Sequence, residues 1–210
     1  MKLITLQALI ISILFFSCNS TSKVNSASNK ELTKAERILA ETIEAHGGKR
    51  YDNAHYEFIF RKNKYTFKNS KEGFEYTVRK SKDGKSIFDK MSNNDFTRAI
   101  DGAELTLSEK EKGRYSSSLN SVIYFATLPY KLKDSAVNLS HKSSTTIKGK
   151  NYEVLEITFD EEGGGKDHDD VFHYWINQET KVIDYLAYNY TVNNGGVRFR
   201  SAYNLSLIHI

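Results

Sequence analysis

Residues 152–160 read YEVLEITFD, 161–170 EEGGGKDHDD, 171–177 VFHYWIN, 178–181 QETK and 182–190 VIDYLAYNY. Three runs rich in β-branched and aromatic residues are separated by one long glycine-bearing loop and one short polar turn, the pattern of antiparallel strands. Leu155, Ile157 and Phe159 alternate onto one face of the first run. Phe172, Tyr174 and Ile176 share a face of the second, with Val171, His173 and Trp175 opposite, and Val182, Leu186, Tyr188 and Tyr190 share a face of the third. Apolar side chains on both sides of the middle runs predict strands that are covered on both faces or that line a cavity.

Upstream the same period-two alternation recurs. Ala54, Tyr56, Phe58 and Phe60 alternate with His55, Glu57 and Arg61; residues 65–67 continue the pattern, 71–73 read as a turn, and Phe74, Tyr76 and Val78 alternate with Glu75, Thr77 and Arg79. Asp83-Gly84 is a hairpin signal into residues 86–89, because both residue types accept the positive φ that a two-residue turn demands. Shorter strands are expected at 96–100 and 104–107, and again at 137–141 and 145–148 around a polar turn.

Two helices interrupt the strands. Thr33 with Glu36, and Ser108 with Glu111, have the spacing of capping boxes, in which a hydroxyl and a carboxylate satisfy free amides at a helix start. After the first box, Ala35, Ile38, Leu39, Thr42, Ile43 and His46 fall on one face until Gly47-Gly48 ends the helix. His46 closes that apolar face in the last turn, where the helix dipole favours its protonated form, and packing or capping is its expected role. After the second box, Tyr115, Leu119, Val122, Ile123 and Ala126 form a stripe. Tyr124, Phe125 and Leu128 carry the apolar surface almost all the way round, with Gly113 a point where a short preceding turn could split off. Such a helix needs cover on most sides, which the concave face of a curved sheet would supply.

The chain has 210 residues, 39% of them hydrophobic and 27% charged, with 13 Tyr, 12 Phe and 1 Pro. This usage points to one domain with a sizeable core, of the α+β class and mainly antiparallel β: a curved sheet, or incomplete barrel, wrapping one or two helices. The net charge of +4 is spread along the chain and not gathered into a stripe, so nucleic acid is not the expected partner. The single cysteine, Cys18, excludes an internal disulfide and a cysteine-based zinc site.

The acidic loop invites a metal reading and fails its tests. Counted from Asp160 as an EF-hand loop, the glycine falls correctly at Gly165, but the twelfth position, where a glutamate should close the site, is Val171. His168 and His173 have no spacing that would bring them to one zinc ion. The expectation is a solvated loop with no metal and no cofactor. Glu153, Glu156 and Asp160 could supply acid and base, but no nucleophile elbow, HExxH, P-loop or GxGxxG is present, so no catalytic residue is assigned.

The termini carry their own signals. Met1-Lys2 is a short basic start, residues 3–16 are an apolar run of the length of a signal-peptide core, and Ser17-Cys18 closes it. The run is too short to span a membrane comfortably. FFSC resembles a bacterial lipobox, with Phe15 where leucine is usual, which implies cleavage before Cys18 and acylation of its thiol. Residues 1–17 are thus read as a lipoprotein signal peptide, 18–31 as a flexible Ser/Asn-rich tether and 32–204 as the domain. Cys18 is not followed by an acidic run of the kind that resembles a surface-export signal in bacterial lipoproteins, and the resemblance to a lipobox then implies the periplasmic face of the cell envelope. Residues 205–210, LSLIHI, break the preceding composition, and a reverse translation of them matches the mosaic end of transposon sequencing adapters. They are read as foreign to the protein, with the natural chain continuing past Asn204.

AERILAETIEAHGG, SLNSVIYFATLPYKLKD, YEVLEITFDEEGG, YWIN with KVIDYLAYNY, and GGVRFRSAYN together resemble a family of Bacteroidota lipoproteins with no assigned activity. That family is similar in fold to the LolA-like and RseB-like periplasmic proteins, in which a curved antiparallel sheet wraps helices around a hydrophobic cavity. The resemblance implies a lipid-anchored module that binds an apolar ligand, a lipid or acyl chain, between its sheet and the helix ending at Leu128. Tyr124, Phe125, Trp175 and Tyr188 are the candidate lining residues. A protein-interaction or sensing module of the RseB type is the alternative, and a hydrolase the third reading.

Overall fold

The computed structural model describes residues 31–93, 95–161, 169–190 and 195–201. The expected signal peptide, Cys18, nearly all of the tether, the centre of the acidic loop with Asp167 and His168, and residues 205–210 lie outside the described residues.

Both capping boxes form. Thr33 and Glu36 exchange hydrogen bonds at the start of α1 (Lys34–Ala45), which buries Ala35, Leu39 and Thr42. Gly47, at φ 112°, takes the chain out of the helix into a 3-10 turn, Gly48–Tyr51. Ser108 and Glu111 do the same for α2 (Glu109–Ala126), whose first turn also carries Glu109 and Glu111 against the positive end of the helix dipole. The helix runs unbroken through Gly113, and the hydroxyls of Ser116 and Ser117 donate to the Gly113 carbonyl at 3.2 and 2.7 Å. A single helical glycine weakens a helix by only about 1 kcal/mol, and packing of the apolar half outweighs it.

The strands fall into two meanders. β1 (His55–Phe60), β2 (Asn63–Ser70), β3 (Gly73–Lys82), β4 (Lys85–Ser92), β5 (Phe96–Ile100) and β6 (Ala103–Glu104) form one sheet in chain order. β7 (Val137–Ile147), β8 (Lys150–Phe159), β9 (Phe172–Asn177), β10 (Ile183–Tyr190) and β11 (Gly196–Ser201) form the other, also in chain order. Every pairing is antiparallel. The mainly antiparallel α+β class is therefore the one the chain adopts, with two curved sheets around helices and no closed barrel.

Local details depart from the sequence reading in three places. The strand expected at 104–107 is reduced to the two residues of β6. The two short strands expected at 137–141 and 145–148 are one bulged strand, β7, with a register shift between His141 and Ser143. The polar run there is no turn: β7 is an edge strand, one face of which meets water, and the bulge absorbs the extra residue. In β10 a shift between Ile183 and Tyr185 turns Ile183 inward, where unbroken alternation would place Val182.

Helix α2 lies between the two cores. Leu119 and Ile123, 2% and 0% exposed, pack with Phe67, Tyr76, Val78 and Phe96 of the six-stranded sheet. Tyr124, Phe125 and the following Leu128 pack against the five-stranded sheet and α1. The apolar surface that runs most of the way round this helix is thus divided between two sheets.

The two cores differ in chemistry. On the six-stranded sheet, Val78, Asp89 and Arg98 occupy one cross-strand row. Asp89 is 1% exposed and takes two hydrogen bonds from the Arg98 guanidinium, at 2.6 and 2.7 Å, and one from Lys80 at 2.9 Å. The same guanidinium stacks 3.3 Å from the centre of the Tyr115 ring on α2. Among the described residues no buried side-chain nitrogen or oxygen lacks a partner.

Candidate functional site

The inner face of the five-stranded sheet is set by register. Leu155 pairs with Tyr174 and Tyr174 with Leu186; Ile157 pairs with Phe172 and Phe172 with Tyr188. These residues share one face because successive side chains on a strand alternate. The C-terminal turn of α2 lays Tyr124 and Phe125 across them.

The result is a seam of aromatic rings. Phe172 stacks on Tyr188 at 4.9 Å, Phe125 lies 5.7 Å from Tyr188, and Tyr124 lies 6.1 Å from both Phe159 and Phe172. At its deep end Leu155, Ile157 and Tyr174 are fully buried. The Tyr124 and Tyr174 hydroxyls meet at 3.0 Å, which satisfies two polar groups that burial would otherwise penalise. Burial pushes both phenols well above their ordinary pKa. At its shallow end Tyr124, Phe125, Phe159 and Tyr188 are only partly buried. Among the described residues the seam is filled by side chains at depth and half open at its rim.

Arg198 stands at that rim. β11 pairs it with Tyr188, its guanidinium lies 4.3 Å from the centre of the Tyr190 ring, and the neighbouring Tyr188 and Tyr190 hydroxyls favour its charged form. The sequence offers no sign of this, because Arg198 reaches the aromatic rim only through the β10–β11 pairing.

Of the four candidate lining residues, three come together: Tyr124, Phe125 and Tyr188 belong to the seam. Trp175 does not join them. It lies on the opposite face of β9, 5.7 Å from Phe199, with Phe199 in turn stacked on Tyr185. An odd number of positions separates it from Phe172 and Tyr174, which sends it to the other side of the sheet.

The carboxylates considered for acid and base chemistry are each engaged. Glu153 accepts from His141 Nε2 at 2.5 Å, Ser144 Oγ at 2.9 Å and Gln178 Nε2 at 3.0 Å, and pairs with Lys34 of α1 at 3.1 Å. Burial opposes its ionisation, but the hydrogen bonds from His141, Ser144 and Lys34 outweigh it and hold the carboxyl below its ordinary value. Imidazole and hydroxyl both bind the same carboxylate, so Ser144 and His141 are not arranged as nucleophile and base. Glu156, on the other face of β8, is held below its ordinary value by Lys142 at 2.8 Å and lies 3.2 Å from His173. Asp160 accepts from Asn138 at 2.7 Å. Among the described residues no group of three His, Cys, Asp or Glu side chains converges as a metal site.

The chain matches the family of unknown function DUF6503 over residues 11–206 and belongs to that family. No curated protein matches it. Among solved structures it is similar to MucB, at 13% identity with a TM-score of 0.34 over 80% of this chain and 56% of that one. The Mycobacterium tuberculosis lipoprotein LppX aligns at 11% identity with a TM-score of 0.32, over 79% of this chain and 93% of that one. The Pseudomonas aeruginosa MucA/MucB complex gives 12% identity and a TM-score of 0.31, over 80% and 56%. The chain therefore spans little more than half the length of MucB. Among the described residues no helix is long and apolar enough to cross a membrane.

Proposed function

We propose that this protein is a binding module of the bacterial cell envelope, held to a membrane by acylation of Cys18, that takes a lipid or acyl chain at the aromatic seam between α2 and the five-stranded sheet. The observation that carries the reading is the half-open rim formed by Tyr124, Phe125, Phe159 and Tyr188, whose rings extend a buried aromatic core to the surface. A chain entering there would replace water on these rings and gain about 25 cal/mol for each square ångström of apolar surface covered. The deep end would open only by displacing packed rings, so shallow seating along the rim is the favoured mode.

Native mass spectrometry after periplasmic expression tests this. The expected result is a bound lipid or acyl chain that Phe125→Asp removes and Trp175→Ala retains, since Trp175 lies on the other face. A protein that neither carries nor takes up lipid overturns the reading.

A second reading, an envelope protein-interaction module, is favoured by one observation. Among the described residues β11 ends its sheet and every one of its residues is exposed, Val197 and Phe199 to 75% and 53%, a surface that a partner strand could pair with. A pull-down that recovers a protein partner dependent on Phe199, with no lipid bound, would favour it over the first.

A further inference from the structure

We propose that the tip of the β1–β2 hairpin, with the neighbouring β3–β4 tip, is a docking surface for an anionic lipid bilayer. Ile59 and Phe60, the last residues of β1, are 77% and 43% exposed. They point to opposite faces of the strand, so together they form an apolar end, not a sheet-face patch. Immediately beyond them the turn consists of Arg61 and Lys62, at φ 49° and 68°.

That turn is unusual within this chain. The tips at Asp83-Gly84, Asp101-Gly102 and Lys148-Gly149 all place glycine at the second left-handed position, the residue that adopts it without strain. The β1–β2 tip places lysine there. Folding alone would favour glycine, so the strain is accepted at the one tip that sets two adjacent cations directly beyond two exposed apolar side chains. The Arg61 guanidinium lies 5.0 Å from the centre of the Phe60 ring, holding charge and apolar surface together.

The β3–β4 turn opens on the same end of the antiparallel meander, because alternate turns share an end. It adds Lys82 and Lys85, both exposed, on either side of Asp83-Gly84. Among the described residues Lys62, Lys82 and Lys85 meet no carboxylate, whereas Lys64 is paired with Glu57 at 2.8 Å and Lys80 with Asp89 at 2.9 Å. The carboxylates of these tips are Asp83 and Asp101, and Asp101 is occupied by the Ser86 amide at 2.8 Å. The apex of a two-residue turn is convex and offers no groove to a peptide. Cations on long stems around a protruding apolar end suit a deformable anionic surface, into which the apolar residues sink while the charges stay at headgroup level.

This surface is separate from the aromatic seam, and its test reads position 59 itself, so that neither seam occupancy nor acylation of Cys18 can mimic the result. The full chain carrying Ile59→Trp is mixed with vesicles of phosphatidylglycerol and phosphatidylcholine whose acyl chains are brominated. Trp175 is the only native tryptophan, so the wild-type chain supplies the background. The expected result is loss of the added emission with anionic vesicles and its retention with pure phosphatidylcholine. Arg61→Glu with Lys62→Glu on the same background should weaken vesicle affinity about tenfold or more. Lys62→Trp is a second reporter, usable if Ile59→Trp melts below the wild type. Unquenched emission at the tip in anionic vesicles overturns the proposal, whether or not the chain sediments with them, and so does equal quenching in uncharged vesicles.

Discussion

The two cores of this molecule solve burial differently. The six-stranded sheet seals a carboxylate and a guanidinium inside, with Asp89 and Arg98 at 1% and 7% exposure, and stacks Phe67 on Tyr76 at 5.2 Å beside them. The aromatic seam on the five-stranded sheet closes its deepest polar contact with two neutral phenols and leaves a rim of partly buried rings. A buried ion pair tolerates little rearrangement, because moving either partner strands a charge. The rim of an aromatic seam can take another apolar surface without stranding a buried charge. The contrast assigns structural integrity to the first core and adaptability to the second.

Breaking the first core should have the largest effect. Asp89→Ala strands Arg98 and is expected to destabilise the fold by about 3–5 kcal/mol in urea denaturation, while Asp89→Leu combined with Arg98→Met should cost much less. Equal losses for the two variants would show that the Asp89–Arg98 pair does not hold the first core together. In the second core Tyr174→Phe leaves the Tyr124 hydroxyl without its partner and should cost about 1–3 kcal/mol; adding Tyr124→Phe should recover part of that in a double-mutant cycle.

The smallest expected effect is electrostatic and belongs to the α1 side of the second core. His46 caps α1 with its Nδ1 2.8 Å from the Thr42 carbonyl, and burial lowers its pKa from 6.5 despite that contact. The unfolded chain therefore binds the proton first, so the contribution of His46 is complete above about pH 6.5 and declines as pH falls through the lowered native value. Melting temperature should drop over that window, and His46→Asn should flatten the drop. The Glu153 network acts lower, because its native pKa lies below the ordinary 4.5 and its stabilisation is lost only as pH falls through that lowered value.

Much of this was legible in the sequence because it rests on local rules. Both capping boxes, the positive-φ turn at Asp83-Gly84, and the shared faces of Leu155-Ile157 and Phe172-Tyr174-Ile176 follow from hydrogen bonding and alternation within a few residues. The bulges in β7 and β10 did not follow, since an extra residue leaves the side-chain pattern ambiguous until the partner strand is known. For the same reason Val182 in place of Ile183 is a natural misreading. The dipole of α1 favours a protonated His46, and desolvation by burial acts against it and prevails.

For the site, residue type marked Tyr124, Phe125 and Tyr188; alternation already set Trp175 opposite Phe172 and Tyr174, and pairing and packing showed which of the two faces α2 covers. Composition and period by themselves determined that this chain builds antiparallel sheets around two capped helices, because alternation and capping are written in neighbouring residues. The tertiary structure alone decided that α2 is shared between two sheets, that a buried ion pair marks one core and a half-open aromatic rim the other, and that Arg198 stands at that rim. Each of those depends on contacts between residues far apart in the chain, which no local pattern encodes.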